Sequence, residues 1–164
     1  MGKSGGSLPE DIMTTKTVMK FLVLLAVLYA GSSFLARNKA SGAGYSKNAA
    51  EEIGKAVSEA RASHRRVLID VGSEGCIWCV RLHRFIEEDP ELRELAAKTF
   101  VTVRADYRAN AALLNGFGQV PGTPHFFILA DDGKLLRSQD TESMESGKSY
   151  DRAKVLAFFK SWGT

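Results

Sequence analysis

The chain is poor in cysteine: only Cys76 and Cys79 occur among its 164 residues. This scarcity excludes the disulfide framework that holds many small secreted domains together. Both thiols lie in the stretch VLIDVGSEGCIWCV, residues 67–80, with two residues between them. Closing so short a loop removes little entropy from the unfolded chain, so the pair is expected to serve chemistry rather than stability.

Histidine is also scarce, which limits the metal sites that the two thiols could form. A four-ligand zinc site needs two more ligands, and of the three histidines only His83 lies near Cys76 and Cys79 in sequence. Covalent haem attachment requires a histidine directly after Cys79, where a valine stands. His64, His83 and His125 are interpreted as surface or satisfied polar residues. We therefore assign no metal ligand, although two thiolates alone could still bind copper.

No charge of one sign dominates the composition. The chain has 22 Lys and Arg against 19 Asp and Glu, mixed along its length, for a formal net charge of +3. This balance argues against nucleic acid as a partner, because nucleic-acid binding needs basic residues clustered on one face. At 45% hydrophobic and 25% charged residues, the composition is typical of a globular domain with a core.

Long apolar runs are lacking except near the start, where residues 21–36 are uncharged and follow Lys16 and Lys20. Small residues come next, and this order is that of a secretory signal. A start at Met13 would give the signal a more usual length. The 16 uncharged residues fall just short of the roughly 17–25 that span a bilayer, yet flanking lysines can snorkel. An uncleaved membrane anchor is therefore a second interpretation, and a buried core helix is a third.

The composition divides the chain into three parts. We predict a signal peptide or membrane anchor over residues 1–36, a flexible linker rich in Ala, Gly and Ser over 37–45, and a folded domain over 46–164. Export would place the protein in the periplasm or cell envelope, either soluble after cleavage or tethered through residues 21–36. Disulfides persist in that oxidising compartment, which suits a single dithiol that cycles between two redox states.

Hydrophobic periodicity predicts alternating helices and strands in the domain. The predicted elements are a helix over 46–64, a strand over 65–72, helices over 76–88 and 89–99, a strand over 100–106, a helix over 107–118, a hairpin over 124–138 and a helix over 149–162. This order predicts an α/β fold, with a mixed central sheet flanked by helices on both faces. About 120 residues are enough for one domain.

The two cysteines differ in their predicted positions. Cys76 lies at the turn from strand to helix, where unpaired N–H groups and the positive end of the helix dipole stabilise a thiolate. Since the thiolate is the nucleophile of disulfide exchange, Cys76 is expected to attack and Cys79, one turn later, to resolve the mixed disulfide. Asp70 ends the apolar strand beneath them and could accept the proton of Cys79. A simple strand-end cap is the alternative for Asp70.

Residues from about Ser46 to Trp162 resemble the thioredoxin superfamily. The CxxC opens a helix after a strand, and Asp70 stands six residues before Cys76, where thioredoxins keep a buried aspartate. The segment VRAD resembles the central strand that ends in aspartate. VPGTPHFFIL resembles the Val-x-Gly-x-Pro loop, with Pro124 in the place of the cis-proline. The short layout is most similar to exported bacterial thioredoxin-like proteins of the thiol:disulfide interchange type.

The resemblance implies a thioredoxin-like fold and a thiol–disulfide oxidoreductase that acts on protein disulfides through a redox-active Cys76–Cys79 pair. No cofactor is needed, because the dithiol is the redox group. A cis Thr123–Pro124 bond would bring Thr123 close to Cys76, and the backbone there would pair with the substrate like an added strand. Reduction is the expected direction by the resemblance, which requires an electron-donating membrane or periplasmic redox partner. Oxidation or isomerisation is the alternative if the thiolate is too stable to leave the dithiol oxidised. Trp78 either docks the substrate or covers the helix.

Three departures from the family pattern stand near the cysteines. Gly75 replaces the tryptophan before the first cysteine, and Ile77-Trp78 replaces the Gly-Pro between the two cysteines. The lysine expected near Asp70 corresponds to Thr102, so Asp70 is expected to lack that cation.

A copper-binding or metal-delivery module that uses the same two thiols is the alternative function. An inactive thioredoxin-like binding domain is disfavoured because both cysteines are intact.

Overall fold

The computed structural model describes residues 44–163. The predicted signal or anchor over residues 1–36 lies outside the described residues, as does most of the predicted linker. Of the helices within 44–163, none combines the length and the apolar character that crossing a bilayer requires.

The order of helices and strands agrees with the sequence prediction. In chain order the elements are α1 (Ala49–Ser63), β1 (Arg66–Gly72), α2 (Ile77–Glu88), α3 (Pro90–Thr99), β2 (Phe100–Asp106), α4 (Ala111–Asn115), β3 (His125–Leu129), β4 (Leu135–Asp140), β5 (Glu145–Ser146), β6 (Ser149–Tyr150) and α5 (Arg152–Lys160). The structure adds the small β5–β6 hairpin and a 3₁₀ turn over Glu142–Met144, which the sequence pattern did not predict.

The main sheet is mixed and has the strand order β2-β1-β3-β4. Strand β1 pairs parallel to β2 and antiparallel to β3, which in turn pairs antiparallel to β4. The pairing of Val71 with His125 places the end of β1 beside the start of β3. The loop that carries Cys76 follows β1, and the loop that carries Pro124 precedes β3. Both loops therefore lie at the same end of these two central strands.

Side chains of β1 alternate between two hydrophobic cores. Val67, Ile69 and Val71 belong to the core that α1 covers, whereas Leu68 packs with residues of α2, α3 and α5. Because successive side chains of a strand point to opposite faces, Asp70 lies on the same face as Leu68. The sheet thus places a carboxylate in an otherwise apolar layer beneath α2.

A buried asparagine ties the start of the domain to the end of β2. Ser46 pairs with the last residues of β2: its N–H donates to the Arg104 carbonyl, and its own carbonyl accepts from the Asp106 N–H, both at 2.9 Å. The Asn110 amide donates to the Ser46 and Asp106 carbonyls at 2.8 and 2.9 Å and accepts from the Ala49 N–H at 2.9 Å. Asn110 therefore bonds backbone groups of three residues, two at the start of the domain and one at the end of β2.

Replacing Asn110 by Ala is expected to lower the free energy of unfolding by about 1–3 kcal/mol, because the buried Ala49 N–H loses its acceptor, while the Ser46 and Asp106 carbonyls keep only their backbone partners. Urea denaturation of the full chain measures this change. Asn115→Ala, an exposed position at the end of α4, is the matched control and should change stability by less than about 0.5 kcal/mol. Equal losses in the two variants would show that the Asn110 hydrogen bonds contribute little.

Candidate active site

The two cysteines form a disulfide at the start of α2. Cys76 is the N-cap residue, and its Sγ accepts a hydrogen bond from the Cys79 N–H at 3.1 Å. The Cα atoms of the pair are 5.2 Å apart. Cys79 is 1% exposed, whereas Cys76 is only partly buried. The predicted placement of Cys76 at the helix start and of Cys79 one turn deeper is therefore confirmed.

The Thr123–Pro124 peptide bond is cis, as predicted. Both the carbonyl oxygen and the Oγ1 of Thr123 lie 3.5 Å from the Cys76 Sγ. The buried Thr141 hydroxyl donates to the Pro124 carbonyl at 2.5 Å and so fixes the chain just before β3. This loop forms one wall of the site, with the more exposed sulfur beside it.

Asp70 is buried, with 3% of its surface exposed. Its Oδ2 lies 2.5 Å from the His83 Nε2. Its Oδ1 is buried and has no hydrogen-bond partner among the described residues. The carboxylate is therefore held on one side and keeps an acceptor position open on the other.

The expectation that Asp70 lacks a cation is wrong. In the parallel register of β1 and β2, Asp70 lies opposite Arg104, and the Arg104 Nε is 3.8 Å from the Asp70 Oδ2. Thr102 lies opposite Leu68, one pleat away. The sequence resemblance did not give the register between the strands, and that register determines which β2 side chain reaches the carboxylate.

His83 takes part in the site, although it was assigned no role from the sequence. It stands four residues after Cys79, so the two side chains lie on one face of α2 about 5–6 Å apart at Cβ. That spacing was the available signal. The contact with Asp70 became visible only when the fold placed α2 over β1.

Tyr45 covers the Asp70–His83 pair from the N-terminal segment. Its ring stacks on the His83 ring at 5.8 Å between centroids, and its hydroxyl lies 3.4 Å from the His83 Nε2. The phenol also packs on Gly72, where a Cβ atom would collide with it. Burial raises the pKa of Tyr45 well above its usual value, so the phenol stays protonated. Tyr45 falls at the end of the predicted linker, but here it packs as part of the domain.

The other two histidines differ in their surroundings. His64 is exposed at the end of α1, as interpreted from the sequence. His125 is buried directly after Pro124, with its Nε2 2.8 Å from the Ser138 Oγ and its Nδ1 without a partner among the described residues. Burial lowers the pKa of His125, which favours the neutral ring. His125 is thus only half satisfied.

The outer face of the helix start is apolar. Ile77 and Val80 are 59% and 46% exposed. The Trp78 ring instead packs edge-on against Tyr150 and beneath the Arg81 guanidinium, 4.6 Å from the ring centroid. The Tyr150 hydroxyl donates to the Trp78 carbonyl at 3.3 Å, and burial raises its pKa to about 12. Trp78 thus packs over the start of α2, and its part in substrate binding stays a prediction.

Residues 44–163 contain no group of three or more His, Cys, Asp or Glu side chains arranged to hold a metal ion.

Solved structures with the same fold include three bacterial proteins. A disulphide isomerase from Xylella fastidiosa Temecula1 aligns with a TM-score of 0.58 and 20% identity over 68% of this chain and 88% of its own. The oxidised C-terminal domain of Neisseria meningitidis DsbD gives 0.52 and 20% over 74% and 100%. A thioredoxin from Thermus thermophilus gives 0.51 and 24% over 66% and 81%. No curated protein sequence matches the chain significantly.

The thioredoxin-like family model matches residues 49–130, which are half of the chain and carry both cysteines, Asp70 and Pro124. The fold predicted from the sequence is thereby confirmed. The chain belongs to the thioredoxin-like family, and with its Cys76–Cys79 pair at the start of α2 it is a thiol–disulfide oxidoreductase.

Proposed function

We propose that the chain reduces disulfides of proteins in the cell envelope. The observation that carries the proposal is the closed Cys76–Cys79 bond at the start of α2, with the Cys76 sulfur beside Thr123 and the Cys79 sulfur buried. In the reduced state this pair supplies two electrons, and it returns to the disulfide as the substrate bond breaks. The dithiol is the redox group, so the reaction needs no added cofactor.

Cys76 makes the first attack, because it is the more accessible of the two sulfurs. At the N-cap the Cys76 sulfur accepts the Cys79 N–H and lies at the positive end of the helix dipole, a position that stabilises a thiolate once the disulfide is reduced. Cys79 is too deeply buried to meet a protein disulfide, but it is within bonding distance of Cys76. It therefore resolves the mixed disulfide from inside.

The substrate chain lies along Thr123 and Pro124 and pairs with their backbone as an added strand would. The Thr123 carbonyl and hydroxyl border the reacting sulfur and can fix the orientation of the incoming bond. Ile77 and Val80, both exposed at the start of α2, offer apolar contact to the substrate. Trp78, which is partly buried, adds to this surface.

Asp70 accepts the proton that Cys79 loses before its attack on the mixed disulfide. It lies beneath α2 in contact with His83, which stands one helical turn after Cys79, and its Oδ1 is buried with no partner among the described residues. General bases placed in this way contribute about 10²–10⁴ to the rate of a step.

The location and direction of the reaction rest on the sequence. Residues 21–36 export the domain and either leave with the signal or tether it to the membrane. The linker predicted over residues 37–45 ends before Tyr45, which packs in the domain, and the catalytic domain extends from there to residue 164. In an oxidising compartment the dithiol must be restored after each turnover, so a membrane or periplasmic redox partner supplies the electrons.

Cys76→Ser is expected to abolish reduction of insulin disulfides, because it removes the accessible nucleophile. Cys79→Ser is expected to accumulate mixed disulfides with insulin, because it removes only the resolving thiol. Turbidity of reduced insulin measures the first effect, and mass spectrometry under non-reducing conditions measures the second. Accumulation in Cys76→Ser instead of Cys79→Ser would reverse the assignment of the two sulfurs.

Asp70→Asn is expected to slow resolution by about 100-fold and to leave the first attack within about twofold, because it removes the proton acceptor of Cys79 alone. The aromatic disulfide 5,5′-dithiobis(2-nitrobenzoate) separates the two steps, since each step releases one coloured thiolate in a stopped-flow trace. Asp131→Asn, exposed in the β3–β4 turn, should match the parent chain in both phases. Equal slowing of both phases by Asp70→Asn, or no slowing, would leave Asp70 a structural role.

A further inference from the structure

We propose that the groove between α2 and the β5–β6 hairpin binds the substrate segment next to the reacting disulfide, and that it selects segments with acidic residues three or four positions from the cysteine. This inference deepens the proposed function and rests on it, because it names the class of protein disulfide that reaches the Cys76–Cys79 pair. The juxtaposition that carries it is a groove of about 350 Å³, apolar and basic, that begins at Ile77, the residue after Cys76.

The groove is apolar near the cysteines and basic farther along α2. Ile77 and Val80 open it at the start of the helix, where they are 59% and 46% exposed. Farther along, the lining includes Arg81, Arg84 and Phe85 of α2 and Lys148 in the turn of the hairpin. Because residues three and four apart share one face of a helix, the α2 side chains form a stripe that leads away from the disulfide.

Tyr150 fixes the hairpin wall of the groove against α2. Its hydroxyl donates to the Trp78 carbonyl at 3.3 Å, and its ring lies 5.8 Å from the Trp78 ring and 6.1 Å from the Phe85 ring, between centroids. The turn between the two short strands uses Gly147, whose φ of 59° lies in the left-handed region that favours glycine. These contacts hold Lys148 in place relative to α2 before any substrate binds.

Two cations of the groove have no ion-pair partner within residues 44–163. No salt bridge in that range includes Arg84 or Lys148, and both side chains are exposed. Arg81 instead lies over the Trp78 ring, 4.6 Å from its centroid. Among the described residues that line the groove, Glu88 is the single carboxylate against three cations. The groove is therefore positively charged and complements a segment that carries carboxylates.

The length of the helix sets the spacing that the substrate needs. Arg84 stands eight residues after Cys76, which is about 12 Å along an α-helix at roughly 1.5 Å per residue. An extended chain covers that distance in about three to four residues at roughly 3.3 Å each. A substrate whose cysteine meets Cys76 therefore has carboxylates beside Arg84 and Lys148 when they stand three or four positions from that cysteine.

The shape of the groove favours a peptide segment over a membrane surface. It is concave, and its volume lies at the low end of the roughly 300–1,000 Å³ typical of ligand pockets. A bilayer instead takes up a broad apolar face of a helix. The groove is also continuous with the reacting sulfur, so a substrate segment beside Cys76 borders it.

The experiment uses the reduced full chain and three terminally blocked peptides, each with one cysteine joined by a disulfide to the neutral group 2-thiopyridine. The peptides carry leucine beside the cysteine and differ only at the third and fourth positions on both sides, which are Glu, Gln or Lys. The Cys76 thiolate attacks the peptide sulfur, and thiopyridine leaves with the electron pair of the broken bond, so its absorbance gives the rate of attack. The parent chain is expected to react about tenfold faster with the Glu peptide than with the Lys peptide.

Arg84→Gln combined with Lys148→Gln should lower that ratio to about twofold, because it removes the two cations that have no partner. Arg61→Gln combined with Lys98→Gln is the matched control and should keep the tenfold ratio. It removes the same charge at exposed positions in the last turns of α1 and α3, which precede β1 and β2 at the other end of the sheet from Cys76. With the small neutral disulfide 2,2′-dithiodipyridine, the parent chain and both variants should react within twofold of one another.

Equal rates of the parent chain with the Glu and Lys peptides would overturn the proposal, as would a tenfold ratio that survives in Arg84→Gln with Lys148→Gln. A dimer in sedimentation that these two substitutions split would assign the groove to a second copy of the chain. Binding to phosphatidylglycerol vesicles that they abolish would assign it to a membrane, and either result would overturn the proposal. A parent chain that discriminates the peptides but fails to reduce insulin would contradict the proposed function and leave the preference for acidic segments in place.

Discussion

The antiparallel register between β1 and β3 is the constraint on which the site depends. Because Val71 pairs with His125, the loop after β1 and the loop before β3 meet at the same end of these two strands. Cys76 lies in the first loop, directly before α2, and the carbonyl oxygen of Thr123 in the second loop is 3.5 Å from the Cys76 sulfur. A shift of one residue would turn every side chain of the strand to the opposite face and would remove Asp70 from beneath α2.

The buried carboxylate sets a second requirement, because a charge in the core is costly unless it has partners. Arg104 supplies a cation from β2, and His83 supplies a contact from α2. Removing one partner of a buried ion pair typically costs about 3–5 kcal/mol, so the site can be disturbed through stability as well as through chemistry. In the proposed mechanism, the Asp70 oxygen that has no partner among the described residues accepts the proton from Cys79. The same carboxylate would then serve both the packing of the core and the proposed reaction.

The sequence predicted the features that local pattern controls. Strand β1, the helix that starts at Cys76, the helix that starts at Asp89 and the β3–β4 hairpin all occur where the hydrophobic periodicity predicted them. The family resemblance added the cis bond before Pro124, which no local pattern specifies.

Features that depend on packing between distant segments were missed. Arg104 meets Asp70 through strand register, His83 meets it through the placement of α2, and Tyr45 joins them from a segment that composition assigned to a linker. A stretch of Ala, Gly and Ser gives little indication that one tyrosine within it will pack. The edge pairing of Ser46, held by Asn110, brings Tyr45 to the site.

The reduction potential of the Cys76–Cys79 pair tests the proposed reductase function most directly. Equilibration of the full chain with glutathione and dithiothreitol buffers, followed by alkylation of free thiols and mass spectrometry, gives its value. A reductase gives up electrons readily, so its own Cys76–Cys79 disulfide must be more stable than its dithiol. We therefore expect a two-electron potential close to that of thioredoxin, about −270 mV. A value near that of the strong oxidant DsbA, about −120 mV, would contradict the account and make the chain an oxidase.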